Sequence, residues 1–213
     1  LTAALSDIEA LLAQQGLSVS GGVFDGDLPE GCQCLLLCSP IDGNFWPQFT
    51  ASPEYLDGQP DPIDRWSQRV LSDIASNIGG TALFPFGGPP YQPFLAWARA
   101  SGRAHVSPVG MLVHDAHGLW ISYRGALALP YPVSLPEPQP KPCTTCHAPC
   151  LTACPVGAIG PNGYDTATCH AWLDTKEQDC MAQGCAIRRA CPAGAAHGRL
   201  PEQSAFHMRS FHP

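Results

Sequence analysis

The sequence predicts an α+β protein in two parts, and three observations lead there. Apolar residues recur at helical spacing in several upstream segments. Short apolar runs bounded by Gly and Pro lie between those segments. A proline-alternating stretch, Pro130 to Pro142, then separates them from a block holding eight of the 11 cysteines. Alternating prolines fix φ and remove donors, so that stretch reads as an extended boundary. We therefore divide the chain into residues 1–135 and 136–213.

The upstream elements follow in order. From Ala3 to Gln15, Leu5, Ile8 and Leu12 share one helical face, with Gly16 as the stop. Leu17 to Phe24 and Cys32 to Cys38 read as strands. Asp61-Pro62 is a helix start, an N-cap followed by proline at the first helical position. Ile63, Trp66, Val70, Ile74 and Ile78 continue that helix until Gly79. Phe94 to Ser101 is a shorter helix closed by Gly102. Val109 to Val113 and Leu119 to Tyr123 read as strands of a hairpin turning through Asp115-Ala116-His117-Gly118. Trp66, Trp97 and Trp120 fall within apolar patterns and read as core.

Composition excludes several classes. Hydrophobic residues are 45% of the 213 and charged residues 14%, enough apolar mass for a packed core and against global disorder. The longest apolar run, around Leu35 to Leu37, is far short of a membrane span, so no membrane insertion is expected. Before Cys143 stand 6 basic and 13 acidic residues, and after it 5 of each. Neither part carries the basic stripe a nucleic-acid partner requires. The opening residues Leu1 to Asp7 read as a helix start rather than an export signal. With an odd cysteine count, this gives the expectation of a reducing, cytoplasmic setting in which cysteines bind metal or stay free.

The cysteine block carries the chemistry. Its first run is Cys143-x2-Cys146-x3-Cys150-x3-Cys154-Pro155; its second contains Cys169, Cys180, Cys185 and Cys191-Pro192. A cubane iron–sulfur cluster takes four thiolates, three from a tight loop and one from a distance. In two-cluster ferredoxins the cysteine before proline serves the other cluster. Both runs here end in Cys-Pro, and eight cysteines complete two sets of four. One [4Fe-4S] cluster is assigned to Cys143, Cys146, Cys150 and Cys191, the other to Cys154, Cys169, Cys180 and Cys185. The loops are looser than in the ferredoxin run, most of all in the second half. Zinc would favour two Cys-x-x-Cys knuckles, and only Cys143/Cys146 forms one. A disulfide framework, and one cluster with spare cysteines, are the other readings. His147 and His170 adjoin assigned ligands and are read as structural, with ligation or hydrogen bonding to sulfur as the rival. Cys32, Cys34 and Cys38 share strand parity and are read as small buried hydrophobes.

Taken together, Cys143–Ile159, Tyr164-Asp-Thr-Ala-Thr-Cys169 and Cys185 to Cys191-Pro192 resemble the epoxyqueuosine reductase group. The stretches from Pro93 to Gly102 and from Gly110 to Gly125 are similar to that family's helix and following hairpin. The resemblance implies a small nitroreductase-like α+β domain, shortened from the family's cobalamin-binding one, followed by a bacterial two-cluster ferredoxin-like module. It also supports Cys169 as a ligand of the second cluster. The family's acidic proton donor has no counterpart, since its place reads Gly88-Pro89-Pro90-Tyr91. Ala104-His105-Val106-Ser107-Pro108 replaces the family's Gly-Trp-Ile-Gly-Lys stretch.

The expected function is single-electron transfer between a redox protein donor and acceptor, a carrier rather than an enzyme. The alternative is an oxidoreductase whose upstream domain holds cobalamin or flavin beside the clusters. A third reading has the clusters serve only as staples of a small domain.

Overall fold

The computed structural model describes residues 2–160 and 163–213. Leu1, with which the sequence opens, and Pro161 and Asn162 lie outside the described residues. In chain order the elements are α1 (Leu5–Ala13), β1 (Leu17–Val23), β2 (Cys34–Pro40), α2 (Phe45–Thr50), α3 (Pro53–Leu56), α4 (Pro62–Ile78) and β3 (Thr81–Leu83). They continue with α5 (Phe94–Ala100), β4 (Ala104–Val106), β5 (Leu112–His114), β6 (Gly125–Leu129), β7 (Ile159–Gly160) and β8 (Gly163–Tyr164). Last come α6 (Thr166–Leu173), α7 (Cys180–Gln183), α8 (Ala186–Arg189) and α9 (Pro201–Phe211). The protein is α+β.

The chain forms two compact units. The first comprises the residues up to Arg103 with Ser122–Pro138, and the second Ala104–Ile121 with Gln139–Pro213. The proline-rich boundary at 135/136 thus falls within a few residues of the crossing at Pro138. Segment Ala104–Ile121, placed upstream by the sequence reading, belongs with the cysteines.

In the first unit an antiparallel sheet runs β1-β2-β6-β3. Every residue of β2 and of β6 is buried. A strand covered on both faces loses polar/apolar alternation, which is why Cys-Leu-Leu-Leu-Cys reads as a continuous apolar run. Helix α1 packs on β1, and α4 on β3 and β6. Phe45 and Phe49 of α2 are buried against Trp66 of α4, with Phe45 and Trp66 edge to face at 5.2 Å between centroids. Each such aromatic removes roughly 150–250 Å² from water.

Two details depart from expectation. Asp61 occupies the cap position of α4, but its backbone is left-handed at φ 51° and its side chain makes no cap hydrogen bond. The start rests on Pro62 instead. The strand expected over Leu119–Tyr123 does not form. Its place beside β5 is taken by β4, with Ala104 opposite His114 and Val106 opposite Leu112. Asp115–Gly118 does turn, since His114 and Gly118 exchange backbone hydrogen bonds of 3.0 Å. Beyond it Leu119 drops into an apolar core.

Candidate metal centre

The second unit has a small core of Val109, Val113, Leu119, Cys150, Ile187 and Cys191, against which Cys143, Cys154 and Cys185 pack. Cysteines of both runs therefore share one interior. The backbone is built for this. Cys143 and Cys150 sit in single 3₁₀ turns, Pro142–Thr144 and Pro149–Leu151. Between them Ala148 is left-handed, at φ 51°. That conformation costs a non-glycine residue about 1–2 kcal/mol, and it turns the Ala148 N–H toward the Cys146 Sγ, 3.3 Å away. Cys191 starts a third such turn, Pro192–Gly194. Gly194 holds that turn against the Asp115–Gly118 loop: a Cβ on Gly118 would stand 2.4 Å from the Gly194 nitrogen. Only two glycines permit that approach.

Four cysteines, Cys143, Cys146, Cys150 and Cys191, line one recess together with Val113 and Leu119. Its space is about 290 Å³, part of it open to solvent. Burial, and then repulsion from Cys146, Cys191 and Cys150, pushes the Cys143 thiol up. Cys150 is pushed up by burial and by Cys191 and Cys146. These shifts place the four within electrostatic reach of one another.

The remaining four form a second neighbourhood. Asp165 caps α6, its Oδ1 accepting the Thr168 N–H at 3.0 Å. The cap sets Cys169 on the first turn and leaves Tyr164 just ahead of it, the relation of a staple pair. The Tyr164 hydroxyl lies near the Cys169 thiol; burial pushes that thiol up, and the hydroxyl acts to lower it. Repulsion from Cys185 and Cys154 also acts on Cys169. Cys180 is raised by burial first, lowered by a bond from the Ala186 backbone, and repelled by Cys185. The Cys154 Sγ accepts the Ala158 N–H at 3.3 Å. Arg188, whose guanidinium donates to the Leu119 carbonyl, lies within electrostatic range of Cys185 and Tyr164.

Of the eight residues assigned from spacing, Cys143, Cys146, Cys150 and Cys191 line one recess, while Cys154 and Cys185 act on Cys169, and Cys185 on Cys180. His147 is exposed. His170 pairs with His212, Nδ1 to Nδ1, at 3.1 Å. Cys34 and Cys38 are fully buried in β2, where burial raises their thiols to about 11 and about 12; they remain protonated at neutral pH. All eleven cysteines are free. Among the described residues, no three or more His, Cys, Asp or Glu side chains are grouped to hold a metal ion. Trp66 and Trp97 are core, but Trp120 is half-buried beneath the Arg199 guanidinium, 5.1 Å from its ring centre. The sequence reading missed Tyr164 and Arg188 as neighbours of the thiols. Tyr164 had a signal, its place immediately before a helix cap; Arg188 had none.

Compared with known proteins, the chain matches no family model, no curated protein and no solved structure. Among the described residues no helix is long and apolar enough to cross a membrane.

Proposed function

We propose that the second unit holds two [4Fe-4S] clusters and that the protein passes single electrons between redox partner proteins. The carrying observation is the recess that Cys143, Cys146 and Cys150 line together with the distant Cys191; mutual repulsion of Cys185 and Cys154 with Cys169, and of Cys185 with Cys180, supports a second set. The donor set suits such a group. Backbone N–H groups of Ala148 and Ala158 already point at sulfur, the arrangement that stabilises negative charge at iron–sulfur sites. The presence of only one Cys-x-x-Cys pair, Cys143/Cys146, favours a polynuclear centre over a single zinc ion. Zinc would draw four sulfurs to about 2.3 Å from one point, whereas a cubane leaves each thiolate on a different iron.

When bound, such clusters supply reversible one-electron chemistry. The chain supplies burial, donors to sulfur and the crossing of ligands between runs, by which each cluster ties the start of the unit to its end. In this reading the unit is a two-cluster ferredoxin-like module, and the first unit a shortened nitroreductase-like domain. Cytoplasmic residence follows from the same reading, because exposed thiolate clusters need reducing surroundings.

Anaerobically purified protein is expected to carry about eight iron and eight sulfide per chain, with broad absorption near ~400 nm. Cys146→Ala should lower iron to about four, since one thiolate set is broken. Iron still near eight in that variant, or zinc in place of iron in the parent, overturns the assignment. Added corrin or flavin bands in the parent's spectrum would move the reading to a cofactor-dependent reductase.

A further inference from the structure

We infer that electrons enter and leave this protein through the loop carrying Cys143, Cys146 and Cys150, where the partner protein docks with an uncharged face. The inference rests on the cluster reading above and deepens it by naming the docking surface and the kind of partner.

The two cysteine sets differ in what surrounds them. From Pro142 to Tyr164 the chain runs for 23 residues without an Asp, Glu, Lys or Arg. That run supplies Cys143, Cys146, Cys150 and Cys154. From Asp165 to Arg189, which supplies Cys169, Cys180 and Cys185, there are seven such residues. The difference reaches the surface. Thr144, Thr145, Pro149, Leu151 and Thr152 are exposed in the first run, Leu151 as a large apolar side chain. In the second run Asp174, Lys176, Glu177 and Asp179 are exposed. Cys191 joins the first set from beside two arginines, and both are engaged: Arg188 donates to the Leu119 carbonyl, and Arg189 to Asp179 at 2.6 Å.

The recess lined by Cys143, Cys146, Cys150 and Cys191 is partly open to solvent. A group bound there lies beside the uncharged run. Redox partners meet over small interfaces, under about 1,200 Å², and the centre of a contact patch is depleted in charge. A surface of Thr, Pro and Leu suits that centre. It also sets the partner's character, because a charge pressed against this loop would lose its water and find no counter-charge. Docking over the second set would instead strip water from Lys176 and Glu177. In the transfer one electron passes from the reduced cluster to the oxidised centre of the partner; no bond breaks and no proton moves.

The test uses the full chain with its clusters, reduced with dithionite, and follows reoxidation by stopped-flow absorbance. Two outer-sphere oxidants serve as charged probes, the trianion tris(oxalato)cobaltate(III) and the trication hexaamminecobalt(III). Ionic strength is held near about 0.1 M, where a charge reaches about 10 Å. Thr145→Lys and Glu177→Gln raise the net charge equally, one in each run. Thr145→Lys is expected to speed the trianion and slow the trication by about threefold or more, and Thr145→Glu to do the reverse. Glu177→Gln should change either rate by less than about twofold. Azurin, a protein oxidant with an apolar contact face, then probes docking. Thr145→Lys and Thr145→Glu should both slow it, since either charge would be buried unpaired. Thr152→Lys and Thr152→Glu repeat every measurement from the same loop, so loss of iron in one pair leaves the other to decide. Rates moved by Glu177→Gln and not by the loop variants overturn the inference, because electrons then leave beside the second set. Rates that no variant moves, or azurin rates untouched by the loop charges, overturn it too. Absence of iron from the parent removes the cluster reading itself, and that result is visible before any variant is made.

Discussion

The two units of this chain are held together by different means. In the first, a four-stranded sheet and long helix α4 enclose Ile8, Leu12, Phe45, Phe49, Trp66 and Leu71, all at most 2% exposed. Burial of that kind is sufficient for a domain of about 120 residues. In the second, the strands are two or three residues long, and the helices α7 and α8 span a single turn each. One core cluster there joins Cys150 and Cys191 to Val109, Val113, Leu119 and Ile187. Thiols crowd one another there with upward-shifted pKa values, as with Cys143 and Cys150. The contrast teaches that a continuous sheet and a long helix organise one unit, while the other, if it holds the proposed clusters, would be cross-linked by them. Binding energy then becomes folding energy.

The largest expected effect breaks this comparison directly. Stripping iron with a chelator under reducing conditions should unfold the second unit and leave the first intact. Hydrogen exchange would read this as lost protection in Gln139–Pro213 beside unchanged protection in β2 and β6. Equal protection in both units after stripping would erase the proposed difference.

The converse perturbation is Trp66→Ala, which should cost the first unit about 3–5 kcal/mol with no change in iron per chain. Denaturant melts followed by far-ultraviolet dichroism measure the first quantity and iron analysis the second. Iron loss in this variant would mean that the units are not independent in stability.

A smaller effect sharpens the account of the first unit. Arg69 hydrogen bonds to Glu54 at 2.5 and 3.0 Å, and holds its carboxyl below the ordinary 4.5. A carboxylate with a depressed folded pKa stabilises above its unfolded value and loses that contribution as pH falls through the folded one. Glu54→Gln should therefore cost about 1 kcal/mol at neutral pH, a modest figure because Arg69 is half exposed. The gap between variant and parent should close as the pH is brought well below 4.5. A gap independent of pH would assign the loss to packing.

The smallest effect comes from the upstream thiols. Cys34→Ala should leave iron per chain unaltered and cost about 1 kcal/mol, since Cys34 is a buried, protonated filler of β2. A fall in iron would bring the first unit into the metal chemistry.

How much of this was legible in the sequence differs between the units as well. Helix α4 was readable because Pro62 fixes its start and Gly79, at φ 71°, its end, with an apolar stripe between them. β2 was readable as an apolar run. β6, Gly125–Leu129, was not, because Gly-Ala-Leu-Ala-Leu has weak strand propensity and is a strand only by lying between β2 and β3. The expected strand at Leu119–Tyr123 failed for the matching reason: pairing is decided by whichever edge arrives, and β4 arrived. No local pattern reports that.

What the sequence alone determined is what travels along the chain: helix punctuation, the proline-rich divide, and the concentration of eight cysteines after Pro142. What only the tertiary structure decided is what meets across it. Segment Ala104–Ile121 joins the cysteine unit, Gly118 meets Gly194, Tyr164 comes near Cys169, and Cys191 lines one recess with Cys143, Cys146 and Cys150. The reason is physical. Propensity and periodicity act between neighbours in sequence, whereas a close approach, a shared recess or a repulsion between thiols exists only after distant segments have been packed together.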